Sequence, residues 1–332
     1  MKSFFNNSSI LVTGGTGSFG NKFLELVIKK KLKVRRLVIL SRDELKQFEM
    51  EKKFPLKKYP FLRFFIGDIR DLDRLKRAFH GIDYVIHAAA LKQVPAAEYN
   101  PTEFIETNIF GAKNLIEVCS QNKIKKVIAL STDKASSPIN LYGATKLCSD
   151  KLFVAANNYI TNSTFSIVRY GNVEGSRGSV IPKFVKVSQK NIFPVTSKHM
   201  TRFSLSRIKA VEMVLWTIKN SIGSEIVVPK TSSYRILDLI KAFSNNPKII
   251  DIGMRPGEKL HEELISIHES PNTIELKNYF VVFPQDSLKI GKHYKKKFKG
   301  KMVNKNFSYT SDNNKFFLSI NELKKIVKIF KH

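Results

Sequence analysis

The chain has 332 residues, of which 42% are hydrophobic and 26% charged, and its formal net charge is +29. This composition is typical of a folded globular protein and excludes wholesale disorder, and the length predicts two domains or one domain with an insertion. No apolar run approaches the roughly 18 residues of a membrane span, and the first residues lack the apolar core of a signal peptide. Two cysteines exclude a disulfide framework or a cysteine metal cluster, so we expect a cytoplasmic protein without a metal.

The positive charge is densest near the carboxyl end, where residues 281–332 hold 13 lysines and three acidic residues. Such a surplus is found in proteins that bind nucleic acids or anionic membranes. The remaining lysines are spread widely and often stand beside Asn, Ile and Phe. We therefore interpret the surplus mainly as compositional bias and expect no nucleic-acid partner, with polyanion binding as the alternative.

Short apolar segments alternate with helix-like segments through the first 170 residues. The predicted strands are 10–13, 37–40, 64–66, 84–89, 127–130 and 165–168, and the predicted helices are 18–30, 42–53, 71–79, 107–121 and 141–158. Buried strands separated by helices indicate a parallel sheet with helices on both faces and right-handed connections. The fold class is therefore α/β, a Rossmann-like doubly wound sheet with a smaller carboxyl-terminal domain.

The rhythm changes after about residue 171. Residues 172–200 have a loop-like composition, and after them we predict helices over 208–219 and 237–243, a strand over 226–228 and a turn at 255–259. The lysine-rich stretch 292–301 receives no predicted structure. We expect one domain to comprise 1–171 and about 201–228, and a substrate domain to comprise 172–200 and about 229–332.

Glycines stand three residues apart between the first predicted strand and helix, at Gly14, Gly17 and Gly20. Glycine permits a tight turn and lets backbone N–H groups approach a pyrophosphate at the start of the helix. The spacing alone is a weak signal, but in this strand–turn–helix context it predicts a dinucleotide site.

The end of the second strand, Ser41-Arg42-Asp43-Glu44, bears on the choice of dinucleotide. An acidic residue there accepts from the ribose of NAD, whereas an arginine suits the 2′-phosphate of NADP. Arg42 therefore favours NADP over NAD, unless it stacks on adenine or caps a helix. Asp68, at the end of the third strand, is placed to meet the adenine edge, although Asp68 or Asp71 could instead cap a helix.

The fourth strand ends in His87-Ala88-Ala89-Ala90, whose small residues would let the backbone lie against the cofactor. We interpret His87 as a histidine of the core or of the strand end rather than a catalyst.

The fifth strand ends in Ser131-Thr132-Asp133-Lys134, and a predicted helix opens nearby with Tyr142 and Lys146. Residues i and i+4 share one helical face, so the Lys146 ammonium can stabilise a Tyr142 phenolate. A tyrosine needs its pKa lowered by about three units to act as a base near neutrality, a cost of about 4 kcal/mol.

The glycine motif, STDK (131–134) and YGATK (142–146) together resemble the extended short-chain dehydrogenases/reductases. More narrowly, the chain is similar to the inverting UDP-N-acetylglucosamine 4,6-dehydratases of pseudaminic acid biosynthesis. The matching segments run from about residue 8 to 314 and include SRDELKQ (41–47), HAAALKQVPAAEYNP (87–101), RYGNVEGSRGSV (169–180), MTRF (200–203) and RPGEKLHE (255–262).

The resemblance implies a reaction without net oxidation. Tyr142, assisted by Lys146 and Thr132, takes the proton of the C4 hydroxyl while hydride passes to NADP. Lys134 removes the C5 proton, which requires a neutral amine, and Asp133 protonates the departing C6 hydroxyl. Hydride returns to C6 and C5 is reprotonated on the opposite face. Both pKa values of the Asp133–Lys134 pair would have to shift toward neutrality; the alternative is an exposed charged pair after a strand.

The resemblance also implies the binding residues, with UDP-N-acetylglucosamine as substrate and a homo-oligomer, hexamer or dimer, as the assembly. An arginine suits the diphosphate because its planar group binds two oxygens at once, although Arg255 could instead be a turn residue that ties two loops together. The implied cofactor residues are Gly14, Thr16, Gly17, Ser18, Phe19, Gly20, Ser41, Arg42, Asp43, Glu44, Lys46, Asp68, Ile69, Ala88, Ala89, Ala90, Lys92, Thr107, Tyr142 and Lys146. The implied substrate residues are Lys92, Asn172, Val173, Arg177, Thr196, Arg202, Arg255 and Glu258.

Two residues depart from the family pattern. Gln93 stands where the closest members usually have His, and Glu174 stands where the family usually has an apolar residue. A carboxylate beside a diphosphate is unfavourable, so we expect Glu174 to point away or to pair, for example with Arg177.

Two other functions stay open. A UDP-sugar 4-epimerase or a C5-retaining dehydratase would use the same Tyr–Lys pair, but retaining dehydratases typically carry Asp-Glu where this chain has Asp133-Lys134. A non-catalytic nucleotide- or polyanion-binding protein is the more distant alternative. Loss of Tyr142 or Lys146 would favour it, and both are present.

Overall fold

A computed structural model describes residues 3–331. Within that range the largest sheet has ten strands, and three further pairs of strands lie apart from it. The strands are β1 (Ser9–Thr13), β2 (Arg36–Ser41), β3 (Leu62–Ile66), β4 (Tyr84–His87), β5 (Lys126–Thr132), β6 (Thr164–Tyr170), β7 (Ile192–Val195), β8 (Thr201–Ser204), β9 (Ile226–Pro229), β10 (Ser232–Arg235), β11 (Lys248–Asp251), β12 (Glu263–Ile265), β13 (Thr273–Glu275), β14 (Tyr279–Val282), β15 (Lys301–Met302) and β16 (Tyr309–Thr310).

The helices follow the predicted alternation through the first half of the chain. They are α1 (Ser18–Lys29), α2 (Glu44–Lys53), α3 (Leu72–Ala78), α4 (Val94–Tyr99), α5 (Pro101–Ile105), α6 (Gly111–Gln121), α7 (Leu141–Ala156), α8 (Val180–Ser188), α9 (Arg207–Asn220), α10 (Ile236–Phe243), α11 (Leu288–Phe298) and α12 (Ile320–Phe330). None of the helices within residues 3–331 is long and apolar enough to cross a bilayer.

The large sheet has the order β15-β13-β14-β9-β6-β5-β4-β1-β2-β3. From β3 to β9 all neighbours are parallel, and β14, β13 and β15 add antiparallel strands at one side. The chain runs outward from β1 in both directions, so the strand order reverses between β1 and β4. A crevice opens at the carboxyl ends of strands at such a point. The predicted α/β class is confirmed.

Side chains of β1 alternate between the two faces of the sheet, as strand geometry requires. Ile10 and Val12 belong to the apolar core under α1 and α9, whereas Leu11 belongs to the core under α3, α6 and α7. Because both faces are covered, every residue of β1 is buried. The sheet is thereby held rigidly beneath the crevice.

A separate apolar cluster holds together α8, α10 and α12, with Phe184, Phe193, Leu239 and Val327 among its buried members. The prediction that residues 172–200 are loop was therefore wrong in part, because α8 and β7 lie there. Gly, Ser and Pro at the borders of that segment masked its short apolar pattern.

The lysine-rich stretch is also ordered, since it falls mostly within α11. One face of α11 is buried through Ile290, Gly291 and Tyr294. Tyr294 packs against Trp216 and Phe298. The lysines occupy the other positions, and their number hides the apolar face from a reading of composition.

The division into two domains stays a prediction. The structure adds that β13, β14 and β15, from within residues 273–302, extend the large sheet beyond β9. The carboxyl-terminal part of the chain thus contributes both to that sheet and to the layer formed by α8, α10 and α12.

Candidate active site

A cavity of about 800 Å³ lies at the carboxyl ends of the parallel strands, between the sheet and the α8–α10 layer. It reaches from the glycine loop through the ends of β4 and β5 to the turn at 255–259. Pockets of this size at the switch point of a doubly wound sheet hold nucleotides and their substrates. Every predicted site residue lines it except Gly20 and Glu44.

The glycine loop fits a dinucleotide. Gly14 has φ +62°, and a Cβ there would lie 2.8 Å from the Ala89 backbone, so the loop and the end of β4 approach as only glycine allows. A Cβ on Gly20 would overlap the Gly15 carbonyl oxygen, so Gly20 serves packing rather than lining. Gly17 caps α1 without a side-chain hydrogen bond, which leaves the first N–H groups of the helix available to a phosphate.

Beyond the glycine loop, polar groups gather at the end of β2. The Arg42 guanidinium lies 3.3 Å from the Asp68 carboxylate. Asp43 caps α2 by accepting from the Lys46 N–H at 2.9 Å, and Asp71 caps α3 in the same way. Asp43 and Asp71, rather than Arg42 and Asp68, therefore cap these two helices. The Arg42 and Asp68 side chains remain at the cavity wall.

His87 lies at the end of β4 with 1% of its surface exposed, and its Nδ1 lies 2.8 Å from the Thr13 hydroxyl. Burial, aided by the charge of Lys146, lowers the pKa of His87 to about 3. The imidazole is therefore a neutral core group, as its position in the sequence indicated.

Tyr142 is placed by the start of α7. The Asn140 side chain caps that helix by accepting from the Gly143 N–H at 2.8 Å. Gly143, which has no Cβ, lets the helix lie against the Lys134 carbonyl oxygen. Burial raises the pKa of Tyr142 to about 12, although the Lys134 charge and a hydrogen bond with Thr132 act against the rise. The chain by itself therefore does not lower the pKa of Tyr142 toward neutrality.

Asp133 and Lys134 form the centre of a buried charge cluster rather than an exposed pair. The Lys134 ammonium lies 3.0 Å from Asp133 Oδ1 and 3.1 Å from Glu262 Oε1. Burial raises the pKa of the Asp133 carboxyl, against the opposing charge of Lys134. That carboxyl therefore holds a proton more readily than a free aspartate, which suits the predicted acid.

The sequence analysis expected Lys134 to be a neutral amine when it acts, but the structure favours its protonated form before the reaction. Burial alone would lower the pKa of Lys134, but the charges of Asp133 and Glu262 outweigh it and raise the pKa above its ordinary value. Lys134 is consequently an ammonium until its proton is taken from it. Sequence reasoning missed Glu262, and its signal was the RPGEKLHE segment (255–262), which ends at this residue.

A second buried network lies beneath Lys146. Asp150, one helical turn further along α7, accepts from the Ser131 hydroxyl at 2.6 Å. Arg169 donates to Glu269 at 2.8 Å and lies 3.9 Å from Asp150. These residues support α7 and were not identified from the sequence.

The 175–179 loop crosses the cavity next to the predicted cofactor residues. The Arg177 N–H donates to the Ser18 hydroxyl at 3.3 Å, and Lys92 donates to the Arg177 carbonyl oxygen at 3.0 Å. Gly178 lies close to Gln93, and a Cβ on Gly178 would stand 2.6 Å from the side-chain nitrogen of Gln93. Lys46, and to a lesser degree Arg177, keeps the pKa of Asp43 below its ordinary value. Arg177, predicted for the substrate, thus stands near the cofactor residues.

The remaining substrate residues lie at the far side of the cavity. Arg202 lies 3.5 Å from Glu258, and the Arg255 N–H lies 3.4 Å from the Glu258 carboxylate across the turn. Glu174 accepts from the Ser204 hydroxyl at 2.8 Å. Among residues 3–331 it forms no ion pair with Arg177, so its carboxylate is satisfied away from that side chain.

Comparison with known proteins identifies the family of this chain. The family described as polysaccharide biosynthesis protein matches residues 10–284. The chain belongs to this family. The inverting UDP-N-acetylglucosamine 4,6-dehydratase of Campylobacter jejuni is 49% identical over 97% of this chain and 98% of its own length. A UDP-glucose 4-epimerase of Rickettsia bellii is 41% identical over 85% of this chain and 84% of its own.

A solved structure extends this family relationship to the fold. The X-ray structure of Pen from Bacillus thuringiensis has a TM-score of 0.87 and 35% identity, covering 98% of this chain and 99% of that one. The resemblance to inverting UDP-N-acetylglucosamine 4,6-dehydratases, first indicated by STDK and YGATK, is confirmed. Within residues 3–331, no group of three or more His, Cys, Asp or Glu side chains is arranged to hold a metal ion.

Proposed function

We propose that the protein catalyses the C5-inverting dehydration of UDP-N-acetylglucosamine to UDP-2-acetamido-2,6-dideoxy-β-L-arabino-hex-4-ulose. The observation that carries the proposal is the adjacent Asp133–Lys134 ion pair, which lines the same cavity as Tyr142. An elimination across C5 and C6 needs a base and an acid side by side. An epimerase, which changes C4 alone, needs neither.

The residues perform the chemistry in a fixed order. Tyr142 accepts the proton of the C4 hydroxyl, and the buried Lys146 lies on the same helical face. Once C4 is a ketone, the C5 proton is acidic and Lys134 removes it. Asp133, whose pKa is raised by burial, gives a proton to the C6 hydroxyl, which leaves as water. C6 takes back the hydride that left C4, and C5 is protonated on the opposite face, which inverts that centre.

The cofactor residues favour NADP over NAD. Arg42 and Lys46 line the cavity at the end of β2, and Arg177 approaches from the 175–179 loop. Three cations in one part of the cavity suit the 2′-phosphate of NADP. When bound, the nicotinamide supplies a reversible hydride acceptor. We further propose that the product enters a pseudaminic acid-type sugar pathway and that the protein is a homo-oligomer.

Proton NMR of UDP-N-acetylglucosamine incubated with the purified protein in D₂O tests the proposed reaction. We expect a new 6-deoxy methyl signal, a 4-keto product and deuterium at C5 with L-arabino coupling constants. The Lys134→Met variant, which keeps the length of the side chain without its amine, should give no C5 deuterium. A methyl product with D-xylo coupling would instead show retention and overturn the inverting assignment.

A UDP-sugar 4-epimerase is the second candidate, because the Rickettsia bellii relative carries that name. The same spectrum distinguishes it. Conversion of UDP-N-acetylglucosamine to UDP-N-acetylgalactosamine without a methyl signal would establish epimerisation, and the Asp133–Lys134 pair would then need another role.

A further inference from the structure

Glu262 is a buried carboxylate at the active site to which the mechanism above gives no role. It immediately precedes β12, and 3% of its surface is exposed. Its N–H donates to the Ser311 hydroxyl at 2.9 Å, and its carbonyl oxygen accepts from the Ser311 N–H at 2.8 Å. Ser311 thus fixes the Glu262 backbone through two hydrogen bonds, and the Glu262 side chain lines the cavity from this fixed position.

The two carboxylate oxygens of Glu262 differ in their surroundings. Oε1 lies 3.1 Å from the Lys134 ammonium and 3.5 Å from the Arg202 guanidinium. Oε2 is buried without a hydrogen-bond partner among the described residues. The charged groups that face Glu262 are Lys134, Arg202, Lys259 and, through Lys134, Asp133. The cations among them lower the pKa of the Glu262 carboxyl, so the carboxylate is its resting form and a proton that it accepts is readily returned. A buried carboxylate oxygen without a hydrogen bond destabilises the fold, so a purely structural role does not account for Glu262.

Lys134 must lose a proton before it can take one from C5. The carboxylate oxygens within hydrogen-bond distance of its ammonium, among residues 3–331, are Asp133 Oδ1 and Glu262 Oε1. Asp133 is reserved as the acid for the C6 hydroxyl and must carry its own proton at that moment. Glu262 is therefore the acceptor that remains.

We propose that Glu262 is a positioning residue that takes the Lys134 proton and so converts the ammonium to the amine that acts at C5. One N–H bond of Lys134 breaks and an O–H bond forms at Glu262 Oε1. The amine then takes the C5 proton, and Asp133 gives its proton to the C6 hydroxyl. Lys134 passes the C5 proton to Asp133, and Glu262 returns its proton to Lys134. The three groups end as they began, and the inference rests on the proposed function.

The Glu262→Gln variant tests this step. It keeps the size of the side chain and an oxygen near Lys134, but an amide does not accept the proton. We expect C5 deuterium incorporation to fall by about 10²-fold or more, the usual size of a lost proton-transfer partner. Substrate affinity and the substrate-dependent change in nicotinamide absorbance, which reports oxidation at C4, should stay within about threefold of wild type.

The pH dependence separates this role from a structural one. In Glu262→Gln the Lys134 proton must leave to solvent, so C5 exchange should rise steeply as the pH is raised, whereas wild type should vary less. Glu263→Gln is the matched control, because the neighbouring carboxylate accepts from Ser137 instead of contacting Lys134. Should Glu262→Gln fail to fold, Glu262→Asp moves the acceptor away from Lys134 and should slow C5 exchange while keeping the wild-type pH dependence.

Two results would overturn the inference. One is C5 exchange in Glu262→Gln, or in Glu262→Asp, at the wild-type rate and pH dependence. The other is loss of C4 oxidation together with C5 exchange in a folded Glu262→Gln variant, which would assign Glu262 to the architecture of the site. Failure of the proposed function is a different result, because wild type itself would then give no C5 exchange with UDP-N-acetylglucosamine.

Discussion

Tyr142 shows how strongly burial acts on the pKa of a single side chain in the cavity. Its side chain is 8% exposed, and the resulting loss of hydration raises its pKa to about 12. The neighbouring Lys134 charge and the Thr132 hydroxyl oppose the rise without reversing it. For Tyr142 to act as a base near neutrality, positive charge in addition to that of Lys134 must lower its pKa.

Removal of the Tyr142 hydroxyl should abolish most of the activity without unfolding the protein. We expect kcat of Tyr142→Phe to fall by about 10²–10⁴-fold, the range for a lost general base. Steady-state kinetics with UDP-N-acetylglucosamine measure this, and Tyr159→Phe, which alters an exposed tyrosine, is the control. Wild-type turnover in Tyr142→Phe would remove Tyr142 from the mechanism.

His87 makes the stability of the protein sensitive to acid. Its folded-state pKa of about 3 lies below its ordinary value of 6.5, so the unfolded chain binds the proton first. The contribution of His87 is complete above pH 6.5 and is lost progressively as the pH falls toward 3. We expect the free energy of unfolding to drop by up to about 4 kcal/mol from this group across that window.

Denaturant titrations at several pH values measure the effect of His87. The acid-induced loss of stability should be smaller in His87→Gln than in wild type, while His80→Gln, at an exposed histidine, should follow wild type. Identical pH dependence in wild type and His87→Gln would contradict the expectation.

At the scale of elements, the start of α7 packs directly against the short helical turn Asp133–Ala135. Gly143 makes this possible, because a Cβ there would collide with the Lys134 carbonyl oxygen. Tyr142 and Lys134, both proposed to act in catalysis, are therefore positioned by one backbone contact between two elements.

Gly143→Ala should separate these two elements and impair catalysis more than stability. A misplacement of about 1 Å can cost roughly 10²-fold in rate, whereas alanine favours the helix by about 1 kcal/mol over glycine. Measurement of kcat beside the thermal unfolding midpoint tests this. Gly291→Ala in α11, where the Cβ would stand 3.2 Å from Phe283, is the control and should leave kcat unchanged.

At the scale of the whole molecule, Arg169 joins distant parts of the chain. It is 1% exposed in β6, and it donates to Glu269 at 2.8 Å and to the Leu264 carbonyl oxygen at 3.2 Å. Asp150 of α7 lies 3.9 Å away. The buried guanidinium thus connects the sheet, α7 and the segment after β12.

Removal of this guanidinium should destabilise the whole protein. Arg169→Met leaves two carboxylates without their cation, so we expect the free energy of unfolding to fall by about 3–5 kcal/mol. Chemical denaturation followed by circular dichroism measures it, with the exposed Arg63→Met as control. A loss below about 1 kcal/mol would mean that water or protonation replaces the ion pairs.

Sequence reasoning correctly located the features that depend only on residues close to one another in the chain. The glycine spacing at 14–20, the STDK tetrad and the Tyr142–Lys146 pair each lie within a few residues, and chain order brings them to one edge of a parallel sheet. Such features follow from strand–helix alternation and need no knowledge of distant contacts.

The sequence by itself thus determined the fold class, the dinucleotide loop and the reaction family, because local patterns and the direction of parallel strands decide them. Tertiary structure alone decided which charges meet. Glu262 contacts Lys134 across 128 residues, and Arg177 reaches Ser18 across 159. It also decided the protonation of Lys134, Asp133 and Tyr142, because burial and neighbouring charge, which set a pKa, arise only when distant segments pack together.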